Sequence, residues 1–396
     1  MKKLSQITEN LIGQPMFALL AKAKELERSG KQINHFEIGD PNFDSPQEAI
    51  CIAKKSLDEG LTHYTDSMGI LEFREAIAEY AKINYGFKPR INQILVCPAN
   101  AIIDFTIRCV ADPGDEIIYP NPGFPTYYSA IIYNRMKPVG IQLKEDNSFR
   151  MDPDMIRNSI TDKTRLIIIN SPQNPTGSVM SRDEIMEVAK IAQENDIYLL
   201  TDEVYSKLIY DAPHFSPSIE DRCLKRTIIL NSLSKVYSMS GWRLGYAIGP
   251  EKLIEKMGLL LQTILSCLPV FTQKAGIAAL SVGQSFLKER INELRHRRDV
   301  LVRGLNDIPD LSCLLPEGAF YTFVNIKKTG MSSDEYSKNL LIDSGVCVLP
   351  GNCFGKFGEG YVRMCYASSS ISLIREALDR MRQFHLMLLQ GRTVKV

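Results

Sequence analysis

Two neighbouring stretches, Asn-Ser-Leu-Ser-Lys at 231–235 and Gly-Trp-Arg-Leu-Gly-Tyr at 241–246, concentrate groups suited to covalent chemistry on a phosphorylated ligand. A lysine becomes a nucleophile when its amine is neutral, and desolvation or nearby positive charge lowers its pKa toward that state. Taken alone, Lys235 reads as a solvated surface lysine. Ser232 and Ser234 before it and Arg243 after it change that reading. Hydroxyls and a forked guanidinium match a phosphate dianion. A lysine beside a phosphate site points to a Schiff base with pyridoxal 5′-phosphate, PLP.

That cofactor needs a carboxylate at its ring nitrogen, because a protonated ring is the electron sink. Asp202, in Thr-Asp-Glu-Val-Tyr at 201–205, is a candidate, although an aspartate at a strand end is also a common helix cap. Tyr205 and Asn174 could both reach the ring oxygen. On composition alone, Asn-Pro-Thr-Gly at 174–177 is simply a turn.

Such distant residues need a scaffold that gathers them. Short apolar runs at 94–97, 116–119, 166–170, 197–201, 228–230 and 245–248 lack polar alternation, as strands covered on both faces do. Helical patterns lie between most of them. Ser45-Pro46-Gln47-Glu48 and Ser181-Arg182-Asp183-Glu184 carry capping-box spacing. The alternation predicts an α/β fold with a mostly parallel sheet covered by helices. Ala99, Asn174, Asp202 and Lys235 all fall just after or at the carboxyl ends of these strands, where such sheets bind ligands. A helix is expected within 11–29 behind an arm, another over 286–305, and a buried helix and loop over 257–273. Residues 45–280 are expected to form a large domain, with 1–44 and 281–396 sharing a smaller one.

At 396 residues, 44% hydrophobic and 23% charged with net charge +1, the chain reads as an ordinary globular protein, with no basic run for nucleic acid or a membrane surface. Residues 1–10 hold lysines with no apolar segment behind them, so no secretory leader is expected and a cytoplasmic location is. Nine cysteines without a C-x-x-C pair and five isolated histidines suggest reduced thiols and no metal site; Cys347 and Cys353 are the nearest pair.

Asn-Pro-Thr-Gly, then Asp-Glu-Val-Tyr, then Ser-Leu-Ser-Lys with Gly-Trp-Arg-Leu-Gly-Tyr form an ordered set, and over nearly its whole length the chain resembles the class I/II aminotransferases of PLP fold type I. The resemblance implies a large PLP-binding domain with a smaller α+β domain, and ping-pong transfer of an amino group from an L-amino acid to a 2-oxo acid. Lys235 would form the internal aldimine and shuttle the proton. Asp202 would pair with the ring nitrogen, and Asn174 and Tyr205 with the ring oxygen. Ser232, Ser234 and Arg243 would hold the phosphate, with backbone groups of Ala99, Asn100 and Ala101, a departure from the glycine or hydroxyl residues usual in that loop. Phe124 would stack on the ring, otherwise serving as a core phenylalanine. Tyr64 would reach the phosphate of a neighbouring subunit in a homodimer. Arg363 would grip the substrate α-carboxylate, and Gly39 would approach the substrate through its backbone; without the resemblance, Arg363 would pass for a surface ion-pair residue.

Two other readings share these residues: a PLP-dependent β-lyase or synthase, and a PLP-fold binding or regulatory protein without turnover. The absence of a cation from 262–272 argues for a substrate with a neutral or apolar side chain.

Overall fold

A computed structural model describes residues 2–5, 7, 13 and 15–390. Leu11, Ile12 and Gln14 of the expected arm, and much of the segment before it, lie outside the described residues. The helix expected behind that arm runs Pro15–Arg28.

Thirteen strands form three sheets among the described residues. The chain first makes β1 (Asn34–His35), then enters a seven-stranded sheet: β2 (Ile94–Val96), β3 (Glu116–Asn121), β4 (Lys137–Gln142), β5 (Thr164–Asn170), β6 (Tyr198–Asp202), β7 (Thr227–Ser232) and β8 (Gly245–Ile248). The spatial order is β2-β8-β7-β6-β5-β3-β4. Only β8 runs against its neighbours. All six strands expected from apolar runs are there. The sequence reading missed β4, whose Pro138 and Gly140 are poor strand formers and whose place at the sheet edge leaves it part-exposed.

Helices cover both faces, so the central strands bury nearly all of their side chains. Ile167, Ile168 and Ile169 of β5 and Ile228, Ile229 and Leu230 of β7 are fully buried. Each such side chain contributes roughly 1.5–3 kcal/mol. The helix Arg182–Glu194 begins with the expected capping box: Ser181 Oγ accepts from Glu184 N at 3.2 Å, and Glu184 Oε2 accepts from Ser181 N at 2.6 Å. The similar signal at Ser45 turns out otherwise. The helix Gln47–Asp58 starts after Pro46 without a side-chain cap. Ser45 Oγ instead donates to Ser238 O and accepts from Trp242 Nε1, tying this loop to the one after Lys235.

The stretch around 257–273 is two helices, Glu251–Leu265 and Val270–Leu280. The long charged helix runs Gln284–Asn306. Beyond it, β9 (Ser312–Cys313), β10 (Tyr321–Asn325), β11 (Val346–Cys347), β12 (Leu349–Pro350) and β13 (Tyr361–Cys365) precede the helix Ile371–Leu389. An antiparallel sheet β12-β13-β10-β9 forms beside the large one. Strand β1 pairs in parallel with β11, joining the first part of the chain to the last. No described helix is long and apolar enough to cross a membrane. All nine cysteines are free thiols, including Cys347 and Cys353.

Candidate active site

Strands β5, β6 and β7 run side by side in register, Asn170 opposite Asp202 and Asp202 opposite Leu230. Their carboxyl ends open on a cavity of about 550 Å³. Lys235 arrives there because Ser232, the last residue of β7, caps a short helix Leu233–Val236, its Oγ accepting from Ser234 N at 3.1 Å. Lys235 Nζ donates to Gly39 O at 2.7 Å. Burial lowers the lysine's pKa; Asp40 and Cys365 oppose the shift, and Arg363 and Arg243 add to it. A larger fraction of neutral, nucleophilic amine results.

Asp202 is buried, and burial raises its carboxyl to about 6. Tyr127 Oη donates to Oδ2 at 2.5 Å and Val204 N to Oδ1 at 3.3 Å. No cation among the described residues pairs with it, so the cavity contains a carboxylate that lacks a positive partner. Tyr205 Oη exchanges a hydrogen bond with Tyr321 Oη at 2.8 Å.

Arg363 shows the opposite imbalance. It lies on β13, 1% exposed, with its guanidinium carbon 4.5 Å from the centre of the Tyr321 ring and 4.9 Å from that of Phe354. Nη1 donates to Asn174 Oδ1 at 3.1 Å and Nη2 to Glu37 O at 2.5 Å, while Nε has no partner. No described acid forms an ion pair with this cation. A buried charge without a counter-ion is costly, and an anion entering the cavity removes that cost.

Around Lys235, Ser234 is buried at the cavity wall, and the Ser232 hydroxyl is shared between Ser234 Oγ and Leu244 O. Arg243 is held by its Nη1 on Ser240 O at 2.7 Å. Ala99 and Asn100 line the cavity at the start of the helix Ala99–Val110, where first-turn N–H groups suit a phosphate. Ala101 is set apart: its N–H is bonded to Pro98 O and it does not line the cavity. Gly245 permits this close approach, since a Cβ there would come within 2.8 Å of Cys97 O and 3.1 Å of Ala99 N. Phe124 lines the wall, edge-on to Tyr127 at 5.7 Å. A Cβ on Gly39 would lie 2.1 Å from Tyr321 Oη. Tyr64 stands apart from this cavity, 87% exposed.

Thus Gly39, Ala99, Asn100, Phe124, Asn174, Asp202, Tyr205, Ser232, Ser234, Lys235, Arg243 and Arg363 share one cavity, and Ala101 and Tyr64 do not. Sequence reasoning overlooked Tyr127, Tyr321, Met16 and Phe17. Tyr127 lies one helical turn beyond Phe124, a spacing that could have revealed it. Tyr321 and the pair Met16 and Phe17 come from distant parts of the chain and carry no local signal.

The donor set fits PLP. A buried acid without a cation suits a ring nitrogen, a desolvated lysine suits an aldehyde, and serine hydroxyls, an arginine and a helix start suit a phosphate. The comparisons agree. The family model for aminotransferase class I and II matches residues 31–381. An aspartate aminotransferase of Pyrococcus horikoshii is 40% identical over 370 residues, covering 92% of this chain and 94% of that protein. An aromatic-amino-acid aminotransferase of Thermococcus litoralis is 38% identical over 369 residues, covering 92% and 94%. The solved structure of Thermus thermophilus aspartate aminotransferase with maleate superposes with a TM-score of 0.92 at 31% identity, covering 97% of this chain and 100% of that one. The fold is PLP fold type I, and the chain belongs to the class I and II aminotransferases. It is a PLP-dependent transaminase acting on amino acids and 2-oxo acids, the one among the three sequence readings that these relatives carry.

Proposed function

We propose that this aminotransferase takes amino acids with neutral, preferentially large apolar side chains. The observation that carries this reading is the cavity's set of cations. Among the described residues lining it they are Lys235, Arg243 and Arg363. On this reading each has a task on the cofactor or the α-carboxylate, which leaves none for a second substrate carboxylate. Met16, Phe17 and Ile38 supply apolar wall, and Asp40 at the rim repels a further anion. The named activities of the relatives include both aspartate and aromatic substrates, and this wall favours the second.

In the proposed arrangement Asp202 holds the ring nitrogen, Asn174 and Tyr205 the ring oxygen, and Phe124 the ring face. Ser232, Ser234, Arg243 and the N–H groups of Ala99 and Asn100 hold the phosphate. When bound, PLP supplies the electron sink for the pair left behind as the α-carbon loses its proton. Arg363 fixes the α-carboxylate, with Nε and Nη groups as the fork. Lys235 Nζ is the base that takes the α-proton and the acid that returns it. Tyr127 and Val204 keep the Asp202 carboxylate in place.

Tyr64, strongly exposed and outside this chain's own cavity, is assigned to a second copy's phosphate site in a homodimer. Residues 45–280 and the two flanking segments, 1–44 and 281–396, are taken as two bodies that close on the substrate. Arg363 and Gly39 would come from one and Lys235 from the other.

The test is a half-reaction screen. The PLP-loaded enzyme is mixed with phenylalanine, leucine, alanine or aspartate, and the spectrum of the bound cofactor is followed. Phenylalanine and leucine should convert the cofactor faster than aspartate; the reverse order would overturn the apolar assignment. Lys235→Ala should abolish conversion with every donor.

A further inference from the structure

His35 lies outside the cavity and has no part in the chemistry above. Its two ring nitrogens nevertheless meet two carboxylates on different elements. Nδ1 is 2.8 Å from Glu37 Oε1, and Nε2 is 3.1 Å from Glu27 Oε1. Carboxylates only accept, and a neutral imidazole has a single N–H. Both hydrogen bonds therefore form together only when the ring is an imidazolium.

The two carboxylates lead to the two sides of the substrate pocket. Glu27 is in the last turn of the helix Pro15–Arg28, whose first turn puts Met16 and Phe17 on the cavity wall. Glu37 is wholly buried, and its Oε2 has no hydrogen-bond partner. Its main-chain carbonyl accepts from Arg363 Nη2, and two residues further on Gly39 O accepts from Lys235. The same segment is tied to β11 and β13 by Phe36, whose N–H donates to Cys347 O and whose carbonyl accepts from Cys365 N.

We propose that His35 is a positioning residue that bridges Glu27 to Glu37, thereby fixing both the carbonyl that orients Arg363 and the helix that walls the side-chain pocket. This rests on Arg363 being the group that binds the substrate carboxylate. The groups facing the bridge are few. Glu27 faces it from the helix and Glu37 from its own segment. The Cys347 thiol on β11 lies beside Glu37. Arg380 of the helix Ile371–Leu389 is occupied by Gln32 O, Ser344 O and Glu376. The Glu37 hydrogen bond, with Glu27 adding to it, raises the His35 pKa to about 9 against the effect of burial. In the folded protein the ring stays protonated and the bridge complete at pH 7.5, and the bridge is lost as pH rises through about 9.

The test uses 3-phenylpropanoate, a carboxylate without a titrating amine, added to the PLP-loaded enzyme and followed through the cofactor spectrum from pH 7 to 10. His35→Gln should bind it about fivefold more weakly at pH 7.5, the effect of losing one member of a shared hydrogen-bond network. Wild-type affinity should fall toward that of the variant as pH passes 9. Titrations of the cofactor and Lys235 are common to both proteins and drop out of the difference. Glu27→Gln, on an exposed helix turn, should move the fall to lower pH, and it decides the matter if His35→Gln does not fold. An unshifted Glu27→Gln profile, or His35→Gln with wild-type affinity throughout, overturns the proposal. Arg363→Gln separates the two readings. If it leaves affinity intact, the carboxylate assignment fails and the bridge with it. If it alone weakens binding, only the bridge fails.

Discussion

The hydroxyl of Tyr127 donates to Oδ2 of Asp202 at 2.5 Å, a contact between the helix after β3 and the end of β6. It steadies a carboxylate that the fold otherwise keeps dry and without a cation. The protein without cofactor therefore carries a cost that the bound ring nitrogen would relieve.

That cost has a definite pH dependence. Burial raises the Asp202 pKa from 3.8 to about 6. A group with a raised folded-state pKa stabilises fully below its unfolded value, and the stabilisation is lost as pH rises through about 6. At pH 7.5 the cofactor-free Asp202→Asn variant should be more stable than the cofactor-free wild type by about 3 kcal/mol, two pKa units of linkage. Adding PLP should reverse the order. Thermal melts of both proteins, with and without cofactor, check this, and the variant's kcat should fall by about 10²–10³.

In the proposed arrangement, Arg363→Gln removes a two-pronged contact to the substrate carboxylate. Each charged hydrogen bond is worth about 1.5–3 kcal/mol, so KM for the amino donor should rise by about 10²-fold or more. Steady-state kinetics with a donor active in the half-reaction screen measure it, and an unchanged KM would move the carboxylate site elsewhere.

Phe17→Ala tests the side-chain wall. The value of kcat/KM for phenylalanine should drop about tenfold, while that for alanine, too short to reach the wall, should change little. Equal losses for both donors would indicate damage to the site as a whole.

A mixing experiment examines the proposed sharing of sites in a homodimer. On that proposal Tyr64→Ala and Lys235→Ala proteins should each have low activity. Dissociated and reassembled together, they should regain activity, because a hybrid contains one site with Lys235 from one subunit and Tyr64 from the other. No gain on mixing would confine Tyr64 to its own subunit's surface.

What the sequence disclosed follows from how locally each feature is encoded. Buried strands are continuous apolar runs, and residues at their carboxyl ends converge in a parallel sheet, so Asp202, Lys235 and Asn174 group together from sequence alone. Ser181 announced its cap because its partner Glu184 is close in sequence. Ser45 gave the same sign and proved different, because Ser238 O and Trp242 Nε1, far along the chain, claim its hydroxyl. The edge strand β4 was hidden by Pro138 and Gly140, and Tyr321 by distance, since its bond to Tyr205 links β10 to the turn after β6.

The pairing of β1 with β11 also bears on how the protein is made. Asn34 is made tens of seconds before its partner Val346 at about 5–20 residues per second. During that interval β1 has no strand to pair with, and Arg363, which will bind the carbonyl of Glu37, has not been translated. The seven-stranded sheet can assemble meanwhile from contiguous sequence. The contact between Arg363 and the carbonyl of Glu37 therefore forms only after the large sheet has been made.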